Sequence, residues 1–144
     1  MKLSPLALSI LAFIEEFRGV AYEDQGGVWT AGYGHTGSDV IKGTTCTLAQ
    51  AATWLAGDVG HAETAVTNLV KVPLTQRQFD ALVMFSYNVG VGAFGGSTLL
   101  RYLNANDAQD AAIQFMVWDK VRRVENEGLE RRRSVERALF LDAA

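Results

Sequence analysis

Five glycines fall within seventeen residues, AYEDQGGVWTAGYGHTG from Ala21 to Gly37, in a chain of 144. Each glycine inside a helix costs about 1 kcal/mol relative to alanine, so this stretch cannot be helical. Val28, Thr30 and Tyr33 favour extended backbone, and the stretch predicts a small, hairpin-rich β segment. On either side the signals are helical. Ser4-Pro5 reads as an N-cap and first helical residue, followed by the stripe Leu6, Ile10, Phe13, Ile14 and Phe17 and by Gly19 as a stop. Thr47 with Gln50, and Thr75 with Gln78, have capping-box spacing. Asp107 is a further N-cap, ahead of Ala108, Ala111, Ala112, Phe115 and Met116. Leu129 to Asp142 reads as a last helix that buries Leu129, Val135, Leu139 and Phe140.

These elements define an α+β chain that is mostly α, a single domain over 1–144. An N-terminal helix and a β-containing small lobe over about 20–46 precede a larger helical lobe over 47–144, with a cleft expected between them. Hydrophobic residues make up 49% and charged residues 20%, which supports a buried core and excludes a disordered chain. Cys46 is the sole cysteine, so no disulfide can form within the chain and a reducing compartment suits it. The longest apolar run, Leu6 to Ile14, is shorter than the roughly 20 residues that a membrane span needs. It also lacks a signal-peptide cleavage site, so neither a membrane anchor nor self-directed export is expected. Net charge is −3, with the acidity in the first half and no basic face, which argues against a nucleic-acid partner. The arginine-rich run from Arg122 to Arg137 alternates with Glu125, Glu127, Glu130 and Glu136, and reads as a solvated, self-paired surface. Arg132 or Arg133 is the exception to consider, as a tether for the last helix. His35, His61 and Cys46 do not make a metal site, and no cofactor is implied.

The densest chemistry lies between Glu15 and His35. Glu15 ends an apolar helix, where Phe13, Ile14 and Phe17 suit it to keep a proton as a general acid must. Asp24 opens the glycine-rich segment and is placed to stay ionised. Thr30, on a predicted strand, has a hydroxyl that can hold a water against Asp24. Two carboxylates in unlike surroundings are what hydrolysis of a glycosidic bond requires. The plainer reading is that Glu15 and Glu16 are solvated helix-end charges and Asp24 a turn former. Spacing alone does not decide between the two. His35 is expected to be structural, paired with Asp80. Asn88 either reaches a sugar or caps the central helix, and Trp29, Trp54 and Trp118 are expected to pack more than to stack on ligands.

The pattern E-x6-Y-x-D-x5-T-x-G-x-GH, here Glu15, Tyr22, Asp24, Thr30, Gly32, Gly34 and His35, resembles the phage-type lysozymes, glycoside hydrolase family 24. LTQRQFDALVMFSYNVG from Leu74 to Gly90 is similar to that family's central helix and following loop. W-x9-GL-x2-RR-x2-E, at Trp118, Gly128, Leu129, Arg132, Arg133 and Glu136, is similar to its C-terminal region. The resemblance implies a lysozyme-like fold and an endolysin with muramidase activity, cutting the β-1,4 bond between N-acetylmuramic acid and N-acetylglucosamine in bacterial peptidoglycan. It implies Glu15 as proton donor, Asp24 as the carboxylate that positions or activates water, and Thr30 as its helper, with Asn88 as a substrate contact. The family's net inversion implies a carboxyl separation of roughly 6.5–9.5 Å. A monomer without cofactor is expected, held in the host bacterial cytoplasm until a separate pore-forming holin releases it to the wall. One departure stands out: the family has glycine directly after the catalytic glutamate, where this chain has Glu16. A lytic transglycosylase, a non-catalytic peptidoglycan-binding module and a helical partner-binding protein are the competing readings.

Overall fold

The computed structural model describes residues 1–121 and 124–142. They form the elements α1 (Pro5–Glu15), β1 (Arg18–Glu23), β2 (Trp29–Gly32), α2 (Leu48–Asp58), α3 (Gly60–Leu69), α4 (Gln76–Val89), α5 (Val91–Gly95), α6 (Thr98–Asn104) and α7 (Ala108–Gln114). A 3-10 turn (Phe115–Trp118), a short hairpin of β3 (Lys120–Val121) and β4 (Val124–Glu125), and α8 (Glu127–Leu141) complete the chain. The class is the mostly helical α+β one that the sequence implies. The described residues gather into two compact units, one of Leu8–Gly60 and one of Met1–Ala7 with His61–Ala144.

In the Leu8–Gly60 unit, α1 stops at Glu15 and not at Gly19, which lies inside β1. Glu16 adopts φ +58° and turns the backbone into the left-handed region, the conformation that commonly terminates helices. Strands β1 and β2 pair antiparallel with Tyr22 opposite Thr30 and Glu23 opposite Trp29. The β segment thus begins three residues before Ala21, the start that composition suggested. Helix α2 packs on β2 at Gly32, where a Cβ would lie 3.0 Å from Ala51 Cβ and 3.2 Å from the Trp54 ring. Residue 46, the expected end of the small lobe, falls inside this unit because α2 belongs to it.

The other unit is built around α4, buried continuously from Phe79 to Ser86. A helix apolar on nearly every side must be central. Phe85 lies edge-on to Phe115 at 5.3 Å, Trp118 at 5.7 Å and Phe94 at 6.4 Å, and Phe115 packs on Phe140 at 5.4 Å. Asp80 is fully buried in α4, and its carboxylate accepts from Ser4 N–H at 3.0 Å, Ser4 hydroxyl at 2.6 Å and Gln76 Nε2 at 2.8 Å. Ser4 also caps α1, accepting from Ala7 N–H at 3.1 Å.

The predicted caps form by side-chain hydrogen bonds. Thr47 accepts from Gln50 N–H at 3.1 Å, Asp107 accepts from Asp110 N–H at 3.1 Å, and Thr75 and Gln78 make the reciprocal capping box. Helix α8 starts two residues before Leu129, capped by Asn126. The burial departs from the prediction in α1 and in α8. Leu6 and Phe13, assigned to the apolar stripe of α1, are 47% and 87% exposed, and α1 buries Ala7 and Leu11 instead. Arg132, Arg133 and Glu136, assigned to a solvated face, are buried in α8, while Arg131 and Glu127 do form the exposed i,i+4 pair at 3.9 Å. Arg122 and Arg123 lie outside the described residues.

Candidate active site

Asp24 owes its position to the turn it makes. Its Oδ1 accepts from Gly26 N–H at 2.8 Å and Val28 N–H at 2.9 Å, and its own N–H donates to Val28 O at 2.9 Å. Asp is good at this bond to backbone two residues on, which fixes the loop and holds the carboxylate exposed at the hairpin tip.

Thr30 sits across the hairpin on β2, only 5% exposed. Its hydroxyl hydrogen is committed to Val28 O at 3.0 Å, so a water would meet the lone pairs of Oγ1. Glu15 is half-buried at the end of α1. Its Oε2 lies 3.9 Å from where a Cβ on Gly34 would stand, and Gly34 has φ +91°. Bare backbone therefore borders this carboxylate where any other residue would add both strain and bulk. Glu16, its neighbour, is exposed, as expected if it points to solvent.

His35 follows Gly34 but pairs differently from the expectation. Its Nδ1 meets Asp58 at 2.8 Å and its Nε2 meets Asp39 at 3.0 Å, while the ring stacks on Trp54 at 4.4 Å and 17°. Asp80 is taken by Ser4 and Gln76 instead. Burial pulls the imidazole down, but the hydrogen bonds and charges of Asp58 and Asp39 together outweigh it and raise it above the ordinary histidine value. Trp54 is half-buried in this stack, and Trp118 half-buried against Phe85, in keeping with packing roles.

Asn88 lies in the other unit, exposed in the last turn of α4. Gly90, with φ +97° and its N–H donating to Ser86 O at 2.9 Å, performs the helix-capping role weighed for Asn88. The Asn88 Oδ1 accepts instead from Arg133 Nη2. Arg133 is fully buried, with Nε 3.0 Å from Glu136 Oε1 and its guanidinium carbon 5.1 Å from the Phe85 ring centre. Burial pushes the Glu136 carboxyl up to about 7, with Arg133 and Arg132 pulling the other way, and burial also lowers Arg133. The sequence held a signal for this cluster in the R-R-x-x-E spacing, which places both arginines within a turn of Glu136 on one helix. Among the described residues, no group of three or more His, Cys, Asp or Glu is placed to hold a metal ion. Nor is any helix among them long and apolar enough to cross a membrane.

Glu15, beside bare backbone at a helix end, and Asp24, exposed in a hairpin turn, are thus two carboxylates in unlike surroundings within one unit. The chain belongs to the phage lysozyme family, whose model matches residues 12–136. It is 41% identical over 145 residues to an endolysin of Salmonella phage P22, covering 98% of this chain and 99% of that protein. It is 43% identical over 143 residues to an endolysin of Bacillus phage B103, covering 98% of this chain but 54% of that longer relative. Among solved structures, the muramidase domain of SpmX from Asticaccaulis excentricus superposes with TM-score 0.94 at 36% identity, covering 98% of each chain.

Proposed function

We propose that the protein is an endolysin whose single domain, residues 1–144, hydrolyses the β-1,4 bond between N-acetylmuramic acid and N-acetylglucosamine in bacterial peptidoglycan. The observation that carries this reading is the family match over residues 12–136, a range that includes Glu15, Asp24, Thr30 and Asn88. Glu15 donates its proton to the glycosidic oxygen as the bond to the anomeric carbon breaks. A water held against Asp24 and the lone pairs of Thr30 adds to that carbon and gives its proton to Asp24, with inversion. The turn bonds of Asp24 support this role because they hold the carboxylate in place. Asn88 contacts the glycan. The protein acts as a monomer, without a cofactor, and waits in the host cytoplasm for a holin to open the way to the wall.

Mass analysis of the fragments released from purified peptidoglycan tests the chemistry. Wild type should yield hydrated reducing-end muramic acid products, Glu15→Gln and Asp24→Asn essentially none, and Glu16→Gln the wild-type pattern. Anhydro ends would reassign the enzyme as a transglycosylase, and no fragments from wild type would leave a binding module. Lysis by the protein expressed alone, without membrane damage, would refute the need for a holin.

A further inference from the structure

The contact between Arg133 and Asn88 has a polarity that chemistry fixes. A guanidinium carries five N–H donors and no acceptor, so the carboxamide atom facing it must be oxygen. The Asn88 nitrogen, on the other branch of the same planar group, then points away from Arg133. Asn88 is exposed, whereas Arg133 beneath it is fully buried, paired with Glu136 at 3.0 Å and packed over Phe85. A buried ion pair of this kind carries a desolvation penalty that only good partners offset. Yet Arg133 Nη1 makes no hydrogen bond among the described residues. Stability alone is a poor account of an arrangement that spends buried charge on one surface amide.

We propose that Arg133, backed by Glu136, is a positioning residue that holds the Asn88 carboxamide with its NH2 group outward, as a donor to an acceptor oxygen of the glycan. The inference rests on the lysozyme reading and on the Asn88 contact within it. It adds the direction of that hydrogen bond and the pair that sets it. It also explains a fully buried arginine in a sequence run that otherwise reads as a solvated surface. Such a donor recognises a carbonyl or hydroxyl oxygen and discriminates against a group that can only donate.

The variant that separates this from a structural role is Asn88→Asp. It is isosteric and keeps an oxygen for Arg133, now charge-assisted, but it has no donor to offer. The expected result is an unfolding midpoint at or above that of wild type and a kcat/KM on soluble glycan strands at least about tenfold lower. Full activity of Asn88→Asp, with wild type active, would overturn the inference while leaving the lysozyme reading intact; an inactive wild type would instead sink that reading. A double-mutant cycle with Arg133→Lys tests the positioning. Lysine keeps the charge beside Glu136 but loses the planar fork, so its activity penalty should largely vanish in the Asn88→Asp background. Penalties that simply multiply would refute the role of Arg133, and if Arg133→Lys fails to fold, Asn88→Asp alone still decides the donor. Repeating the Asn88→Asp comparison on de-N-acetylated strands identifies the oxygen: a penalty that disappears marks the acetamido carbonyl, and one that persists marks a hydroxyl.

Discussion

Replacing Glu16 with glycine should make the protein more stable. Glu16 holds φ +58°, a conformation that costs an L-residue roughly 1–2 kcal/mol because Cβ crowds the following carbonyl. Glycine removes that cost but loses more chain entropy on folding, about 0.4–1 kcal/mol. The exposed Glu16 carboxylate adds little on either side. The midpoints of the two ranges leave a net gain of about 0.8 kcal/mol, which for a chain of this size raises Tm by about 2–4 °C. Alanine relieves no strain and should fall near wild type, while a β-branched Glu16→Val should fall below it. The assay is urea unfolding followed by circular dichroism on the four proteins, with Glu16→Gln as a control for charge. The ordering Gly above Glu and Ala, with Val last, is the signature of backbone strain. Equal stability of the Gly and Ala variants would refute the argument, and a gain in Glu16→Gln as large as in Glu16→Gly would move the cause to charge.

Two further outcomes rest on the geometry at the end of β2. The His35 ring is raised in the folded state, so its stabilisation is full below the unfolded value of about 6.5 and fades as pH rises through the folded one. The difference in unfolding free energy between wild type and His35→Gln, measured from pH 5 to 9, should shrink with pH; a difference that grows would contradict the assignment. Gly32→Ala should cost at least about 2 kcal/mol in denaturant unfolding, since a methyl there meets Ala51 Cβ at 3.0 Å in a backbone of φ +66°. A loss under about 0.5 kcal/mol would mean that α2 moves aside easily.

The features legible in the sequence are those decided within a few residues. Thr47, Thr75 and Asp107 cap their helices because a short oxygen reaches an N–H three positions on, and nothing distant competes. Asp24 and the glycines after it announce a turn for the same reason. The helix stop at Glu16 was not legible, since glutamate has no preference for the left-handed region and Gly19 offered a better local signal. Only the resemblance, with glycine expected at that position, marked the place. Non-local pairing is ambiguous in the sequence where several acids can serve one partner. His35 met Asp58 and Asp39, not Asp80, because the acid that stays buried in α4 was already satisfied by Ser4 and Gln76. Arg133 and Glu136 are only half legible: the R-R-x-x-E spacing groups them, but interleaved charges look the same in solvent and in a core. The candidate residues themselves needed the resemblance, since a glutamate at a helix end and an aspartate at a turn are ordinary on spacing alone.

The chain's first seven residues belong with His61–Ala144, while Leu8–Gly60 form a unit of their own. As the chain leaves the ribosome, the intervening unit can collapse early, but Leu3 must wait for Glu63 and Ser4 for Asp80, a partner 76 positions later. Closing so long a loop is slow more than it is costly. Leu3 and Ser4 are thus the last stitches of the larger unit, made before their partners and fastened late, and Ser4→Ala should speed unfolding far more than it slows folding.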